Sequence, residues 1–151
     1  MGKYIVAIIV TGLLMGCDSS QPLPTADKRG DGASLARVTD PAIIVAGASL
    51  YQRNCAECHG DYAEGDAGWR QRDSEGFFPP PPLNGSGHAW HHSRAWLTQL
   101  INDGTRPRGK MPGWEDKLSQ KEIASIVAWI QAQWPDKVYG LWHEQQLAGL
   151  K

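Results

Sequence analysis

Cys55-Ala56-Glu57-Cys58-His59 is a C-x-x-C-H sequence. Two thiols at this spacing can reach the two vinyl groups on one edge of a porphyrin. The histidine that follows turns beneath the ring and can ligate iron, which is the attachment pattern of c-type haem. Thioether bonds are covalent, so a haem held this way does not dissociate. A thioredoxin-type dithiol is the competing reading of the pair, but it wants a preceding strand and a βαβ pattern, and the sequence offers neither. A disulfide between the two would be open to an apo-protein. A zinc site would need a fourth ligand at suitable spacing, and no second cysteine pair exists.

On the N-terminal side the chain reads as helix. Asp40-Pro41 combines an N-cap acceptor with proline at the first helical position. Ile43, Gly47, Leu50, Tyr51 and Asn54 then fall on one helical face, apolar or small apart from Asn54. Glycine inside a helix costs about 1 kcal/mol relative to alanine, so Gly47 predicts close approach by another element. On the C-terminal side, Gly60 to His92 is rich in Gly, Pro and Asp and includes the run Pro79 to Pro82. Neither helix nor strand persists through such a run. So long an irregular stretch is unusual in a compact domain. A large flat apolar cofactor would give it a surface to wrap, and the apo-protein is expected to fold poorly.

Further along, Ser93 can cap a middle helix with an apolar stripe of Trp96, Leu97, Leu100 and Ile101 and a stop at Gly104. Ser119 and Glu122 make a capping box, with Leu118 and Ile123 as its hydrophobic staple. Ile123, Ile126, Val127 and Ile130 continue at helical spacing until Trp134-Pro135, where the residue before proline ends the pattern. Asp136 to Leu150 supports another helix. No segment shows sustained strand alternation, so the expected fold class is all-α.

The remainder of the chain frames this domain. It has 151 residues, 41% of them hydrophobic, which suits one domain with appendages. A formal net charge of -1 gives no footing for a nucleic-acid partner. Charged residues at 21% argue against wholesale disorder, and 3 cysteines are too few for a disulfide scaffold. Lys3 followed by the apolar run Tyr4 to Leu14 reads as an export signal, because a spanning helix needs about 20 apolar residues. Leu14-Met15-Gly16-Cys17 resembles the lipobox of bacterial lipoproteins, which implies cleavage before Cys17 and lipidation of that cysteine. In that resemblance Asp18 is associated with retention in the inner membrane. The organisation expected is a signal at 1–16, a lipidated Cys17 and flexible tether over 17–39, and a folded domain over 40–151.

From about Ala42 to Trp134 the chain resembles the class I cytochromes c. Gly47 to Gly60 looks like that family's N-terminal helix and haem site. Pro81-Pro82-Leu83-Asn84-Gly85 is similar to its proline segment, which implies that the Pro81 carbonyl accepts a bond from the proximal histidine. Met111-Pro112-Gly113-Trp114 is similar to the loop that presents the axial methionine, and Trp129 sits where an aromatic residue packs near Gly47. The resemblance implies a class I cytochrome c fold around one covalent haem c, with thioethers to Cys55 and Cys58 and axial ligands His59 and Met111. Met1 and Met15 lie in the signal, so a thioether ligand in the mature chain would have to be Met111. A His/Met pair raises the reduction potential relative to bis-histidine ligation. Trp114 is a candidate donor to a haem propionate.

His88, His91 and His92 form a second cluster. They read as structural imidazoles beside a helix start, as a further metal site suited to copper, or as a source of the distal haem ligand in place of Met111. Arg106, Arg108 and Lys110 read either as a solvated loop or as a basic rim that steers an acidic partner. The expected function is single-electron transfer between redox proteins (an oxidase, reductase or dehydrogenase), with no catalysis by the chain itself. The expected location is the periplasmic side of the bacterial inner membrane through a lipid anchor, or the soluble periplasm. Two alternatives stand beside it. One is a ligand-binding, sensing or peroxidase-like haem domain with a labile Met111. The other is a copper-handling accessory cytochrome using the histidine cluster.

Overall fold

The computed structural model describes residues 35–149. The expected signal and Cys17 lie outside these residues. Five α-helices make the framework, and the described residues include no strand: α1 is Pro41–Asn54, α2 Ala56–His59, α3 Arg94–Asp103, α4 Gln120–Ala132 and α5 Asp136–Gly149. A 3₁₀ turn at Ala89–His91 precedes α3. Among the described residues, no helix is long and apolar enough to cross a membrane.

The helix ends follow local chemistry. Asp40 accepts from the Ala42 amide at 2.9 Å, with Pro41 in the first turn where its missing N–H costs nothing. Ser93 accepts from the Trp96 amide at 3.1 Å. The Ser119–Glu122 capping box is complete, and Leu118 and Ile123 are both buried beside it.

α1 and α4 cross at Gly47. A Cβ there would collide with the Ser125 carbonyl and stand 2.9 Å from the Trp129 Cβ. The bare backbone lets the two helices touch and brings the Tyr51 and Trp129 rings to 4.2 Å. Ile123 and Ile126, both fully buried, complete this core. Each contributes about 1.5–3 kcal/mol by leaving water. Two positions differ from the sequence pattern. Ile43 is exposed, and Ile44 takes its place against the core. Trp96 is also exposed, because its ring stacks on His92 at 3.7 Å rather than entering the helix interface.

α5 secures the loops. Its Trp142 indole donates to the His92 carbonyl at 2.9 Å, and Gln145 donates to the His91 carbonyl at 2.9 Å. Trp134, just before it, donates to the Leu83 carbonyl at 2.8 Å. Leu35 to Arg37, the end of the expected tether, lie against the same region. Tyr139 donates to the Leu35 carbonyl at 2.9 Å, Arg94 donates to the Ala36 carbonyl at 2.8 Å, and Arg37 covers the Tyr139 ring.

Candidate functional site

Cys55 is the joint between α1 and α2. Its amide still donates to Tyr51 of α1, and its carbonyl accepts from the Cys58 and His59 amides at 3.1 and 2.9 Å. Both thiols and the imidazole are thereby carried on a single turn. Cys58 is exposed and Cys55 half-buried, and both are free thiols. Burial, and then the neighbouring Cys58, push the Cys55 thiol up to about 11. Redox-active dithiols need a lowered pKa, so this environment opposes the thioredoxin-type reading.

His59 Nδ1 lies 3.0 Å from the Pro81 carbonyl oxygen. A carbonyl only accepts, so Nδ1 carries the proton and Nε2 keeps its lone pair for a metal. Burial lowers the His59 pKa, against the smaller opposing effect of the Pro81 bond, and favours the neutral, ligating form.

Pro81 is placed by backbone pairing across the long loop. Leu83 and Asn84 amides donate to the Ala63 carbonyl at 2.8 and 3.1 Å, and Asp66 donates to the Pro80 carbonyl at 2.9 Å. Gly65 has φ +66°, and a Cβ on it would stand 2.5 Å from the Pro81 carbonyl carbon. Pro81 also borders a cleft of about 400 Å³ with Trp69, Arg70, Phe78, Pro79 and His88. The cleft therefore opens beside the residue that orients the His59 ring.

Met111 is half-buried against the core, in a loop folded back on the end of α3. Thr105 pins it at both ends of the residue. The Met111 amide donates to Thr105 Oγ1 at 3.1 Å, and the Thr105 amide donates to the Met111 carbonyl at 3.0 Å. Gly104, at φ +74°, packs against Met111, Pro112 and Gly113, and Gly113 itself lies against the Asn102 and Asp103 carbonyls. The Trp114 amide closes the loop by donating to Asn102 O at 2.9 Å. Sequence reasoning missed the part played by Thr105, since a threonine after a glycine stop carries no signal of its own.

The donor set fits a covalent haem: two thiols on one turn, a neutral imidazole with a free Nε2, and a separately anchored thioether. A mainly apolar cleft borders Pro81, the acceptor of the His59 bond. Cys55, Cys58, His59 and Met111 are the residues that would hold the haem.

The histidine cluster is interleaved with tryptophans. His88 stacks near Trp69 at 5.5 Å, His91 on Trp90 at 3.8 Å and His92 on Trp96 at 3.7 Å. The His88 and His92 rings also meet edge to face, with centroids 5.9 Å apart. Among the described residues no group of three or more His, Cys, Asp or Glu side chains is arranged to hold a metal ion. Trp114 is half-buried beneath the Lys117 ammonium, 5.0 Å from the ring centroid. Arg106 and Arg108 are exposed, but Lys110 is not a free cation, for it bonds Asp73 and Glu75.

The family model described as cytochrome c oxidase, cbb3-type, subunit III matches residues 42–130. The cbb3-type cytochrome c oxidase subunit CcoP of Azospirillum brasilense is 31% identical over 94 residues, which is 62% of this chain and 30% of that protein. The CcoP of Azospirillum sp. (strain B510) is 29% identical over the same extent. The chain thus spans about 30% of the length of these curated relatives. Among solved structures, cytochrome CL from the marine methylotroph Methylophaga aminisulfidivorans superposes with a TM-score of 0.52 at 26% identity, covering 75% of this chain and 69% of that one.

Proposed function

Because the chain belongs to the c-type cytochrome family of cbb3-type oxidase subunit III and has the cytochrome c fold, we propose that it is a monohaem electron carrier with His59/Met111 axial ligation. Membership implies a covalently bound haem c and an electron-transfer role, as a carrier or accessory subunit rather than the catalytic enzyme itself. When bound, the haem supplies one-electron cycling of its iron between the ferric and ferrous states.

The residues of the chain do the rest. Cys55 and Cys58 form the thioethers, Pro81 fixes the His59 ring, and Thr105 with the glycines of its loop presents Met111. The observation that carries this reading is the 3.0 Å His59–Pro81 contact, made from the same turn as both thiols. With His59 and Met111 both held in place by the chain, little would need to rearrange on electron transfer. The partners are redox proteins of the membrane or periplasm, and the relatedness to an oxidase subunit supports a respiratory complex as one of them.

The test is a visible spectrum of protein matured in an exporting host with haem-attachment machinery. The protein should be oxidised, then reduced, then reduced under carbon monoxide. A low-spin c-type spectrum unmoved by carbon monoxide is expected, whereas Met111→Ala should bind carbon monoxide readily. A wild-type spectrum that shifts at once with carbon monoxide would replace the carrier by a ligand-binding haem domain.

We also propose that residues 1–16 are an export signal and that Cys17 is lipidated, with the tether over 17–39 leading to the domain at 40–151. Two or more acyl chains give stable anchoring where one does not. Cys17→Ser should move the haem protein from the membrane fraction to the soluble periplasm. A variant that stays in the membrane would end the lipid-anchor reading.

A further inference from the structure

Lys110 immediately precedes Met111, yet its side chain reaches across to a distant part of the long loop. Its ammonium donates to Asp73 Oδ2 at 2.9 Å and to Glu75 Oε1 at 2.7 Å, and lies 5.4 Å from the centre of the Phe77 ring. The acceptor turn is built to receive it. The other oxygen of Asp73, Oδ1, accepts from the Glu75 and Phe77 amides, each at 2.9 Å. The Asp73 amide donates to the Phe77 carbonyl at 2.8 Å, and Arg72 donates to the Gly76 carbonyl while its guanidinium covers the Phe78 ring. Directly after this turn, Phe78 and Pro79 become walls of the cleft that Pro81 also borders.

We propose that Lys110 is a positioning residue, a clasp that ties the Met111 loop to the 73–77 turn and thereby slows departure of Met111 from the iron. The proposal rests on the reading of Met111 as the distal ligand.

An isolated exposed ion pair is worth little, since ordering two long side chains offsets the attraction. Here one lysine bridges two carboxylates, and two backbone amides already fix the Asp73 carboxylate. Less freedom is lost when the contact forms. The clasp also closes a connection between loop segments that Thr105 and α3 do not reach. Local opening of the Met111 loop, rather than global unfolding, is the step it opposes.

The experiment uses ferric holo-protein and imidazole as the incoming ligand, with stopped-flow detection of binding. At saturating imidazole the rate reports how often Met111 leaves. Lys110→Met should bind imidazole about fivefold faster, Lys110→Arg should stay near wild type, and the global unfolding midpoint should hardly move. Raising ionic strength should speed the wild type and leave Lys110→Met unaffected, because salt screens an exposed clasp. Glu75→Gln should speed binding in the wild-type background and do nothing further in Lys110→Met.

Equal rates in Lys110→Met and wild type would overturn the clasp while leaving Met111 as ligand. Failure of the ligation reading looks different. The ferric wild type would then lack the thioether charge-transfer band, and Met111→Ala would bind imidazole no faster, overturning the clasp as well.

Discussion

Gly47→Val should destabilise the holo-protein by about 3 kcal/mol or more, and Gly47→Ala by a smaller but clear amount. Overpacking a close-packed core ordinarily costs about 1–3 kcal/mol. The obstacle at Gly47 belongs to the upper end of that range. A Cβ there meets the Ser125 backbone carbonyl, and the next atoms, the carbonyl carbon and the Trp129 Cβ, stand at 2.7 and 2.9 Å. A flexible side chain could swing away, whereas the Ser125 carbonyl can yield only if α4 moves. That movement would also part the Tyr51 and Trp129 rings, now 4.2 Å apart. Alanine is the informative comparison. Helix propensity alone makes Gly→Ala favourable by about 1 kcal/mol, so the steric argument and the propensity argument give opposite signs. Urea midpoints of wild type and both variants decide between them. A midpoint that rises in Gly47→Ala would mean that α1 and α4 do not touch where the structure places them.

How far the sequence could lead depended on the range of each interaction. Caps are local, so Asp40, Ser93 and the Ser119–Glu122 box could be read directly, and each marks a helix start in the structure. Gly47 was legible as an anomaly, a costly residue that needed a packing reason. Helix faces were less secure. Ile43 and Ile44 are equally apolar, and only the position of α4 decides that Ile44 turns inward. Trp96 falls on one apolar stripe with Leu97, Leu100 and Ile101, but His92 offers it a stacking surface outside. The His59–Pro81 contact spans 22 positions and was accessible only through family resemblance, because no local pattern pairs a histidine with a distant proline carbonyl. The bond from Lys110 to Asp73 spans 37 positions, and nothing in the flanking residues announced it. The ring contacts of the 88–92 cluster were likewise invisible, since spacing alone does not say which aromatic ring each imidazole meets.

A Cys55→Ser, Cys58→Ser double variant should lose all covalently attached haem, whereas the wild type should carry one. The prediction follows from what remains when the thiols are gone. His59 and the cleft could still receive a haem, but coordination and apolar contact are reversible, and the haem would leave on acid-acetone extraction. The wild-type polypeptide should retain its haem through the same treatment and show a mass increment of a single haem. One is the expected number because attachment requires two thiols on one turn followed directly by a histidine, and Cys55, Cys58 and His59 are the sole such set in the sequence. Cys17 has no neighbouring thiol and no following histidine. Met111→Ala separates attachment from ligation: its thioethers should survive extraction while the iron becomes accessible to carbon monoxide. Attachment should also support folding. The 60–88 loop has few apolar side chains of its own, and the cleft at Trp69, Phe78 and Pro81 offers apolar walls for a cofactor to cover. The double variant should therefore show a lower helical content and a broad thermal transition, measured by circular dichroism against the wild type. Haem that stays with the double variant after extraction would assign its attachment to some other bond, and the turn at Cys55 would then lose its role as the anchor of the cofactor.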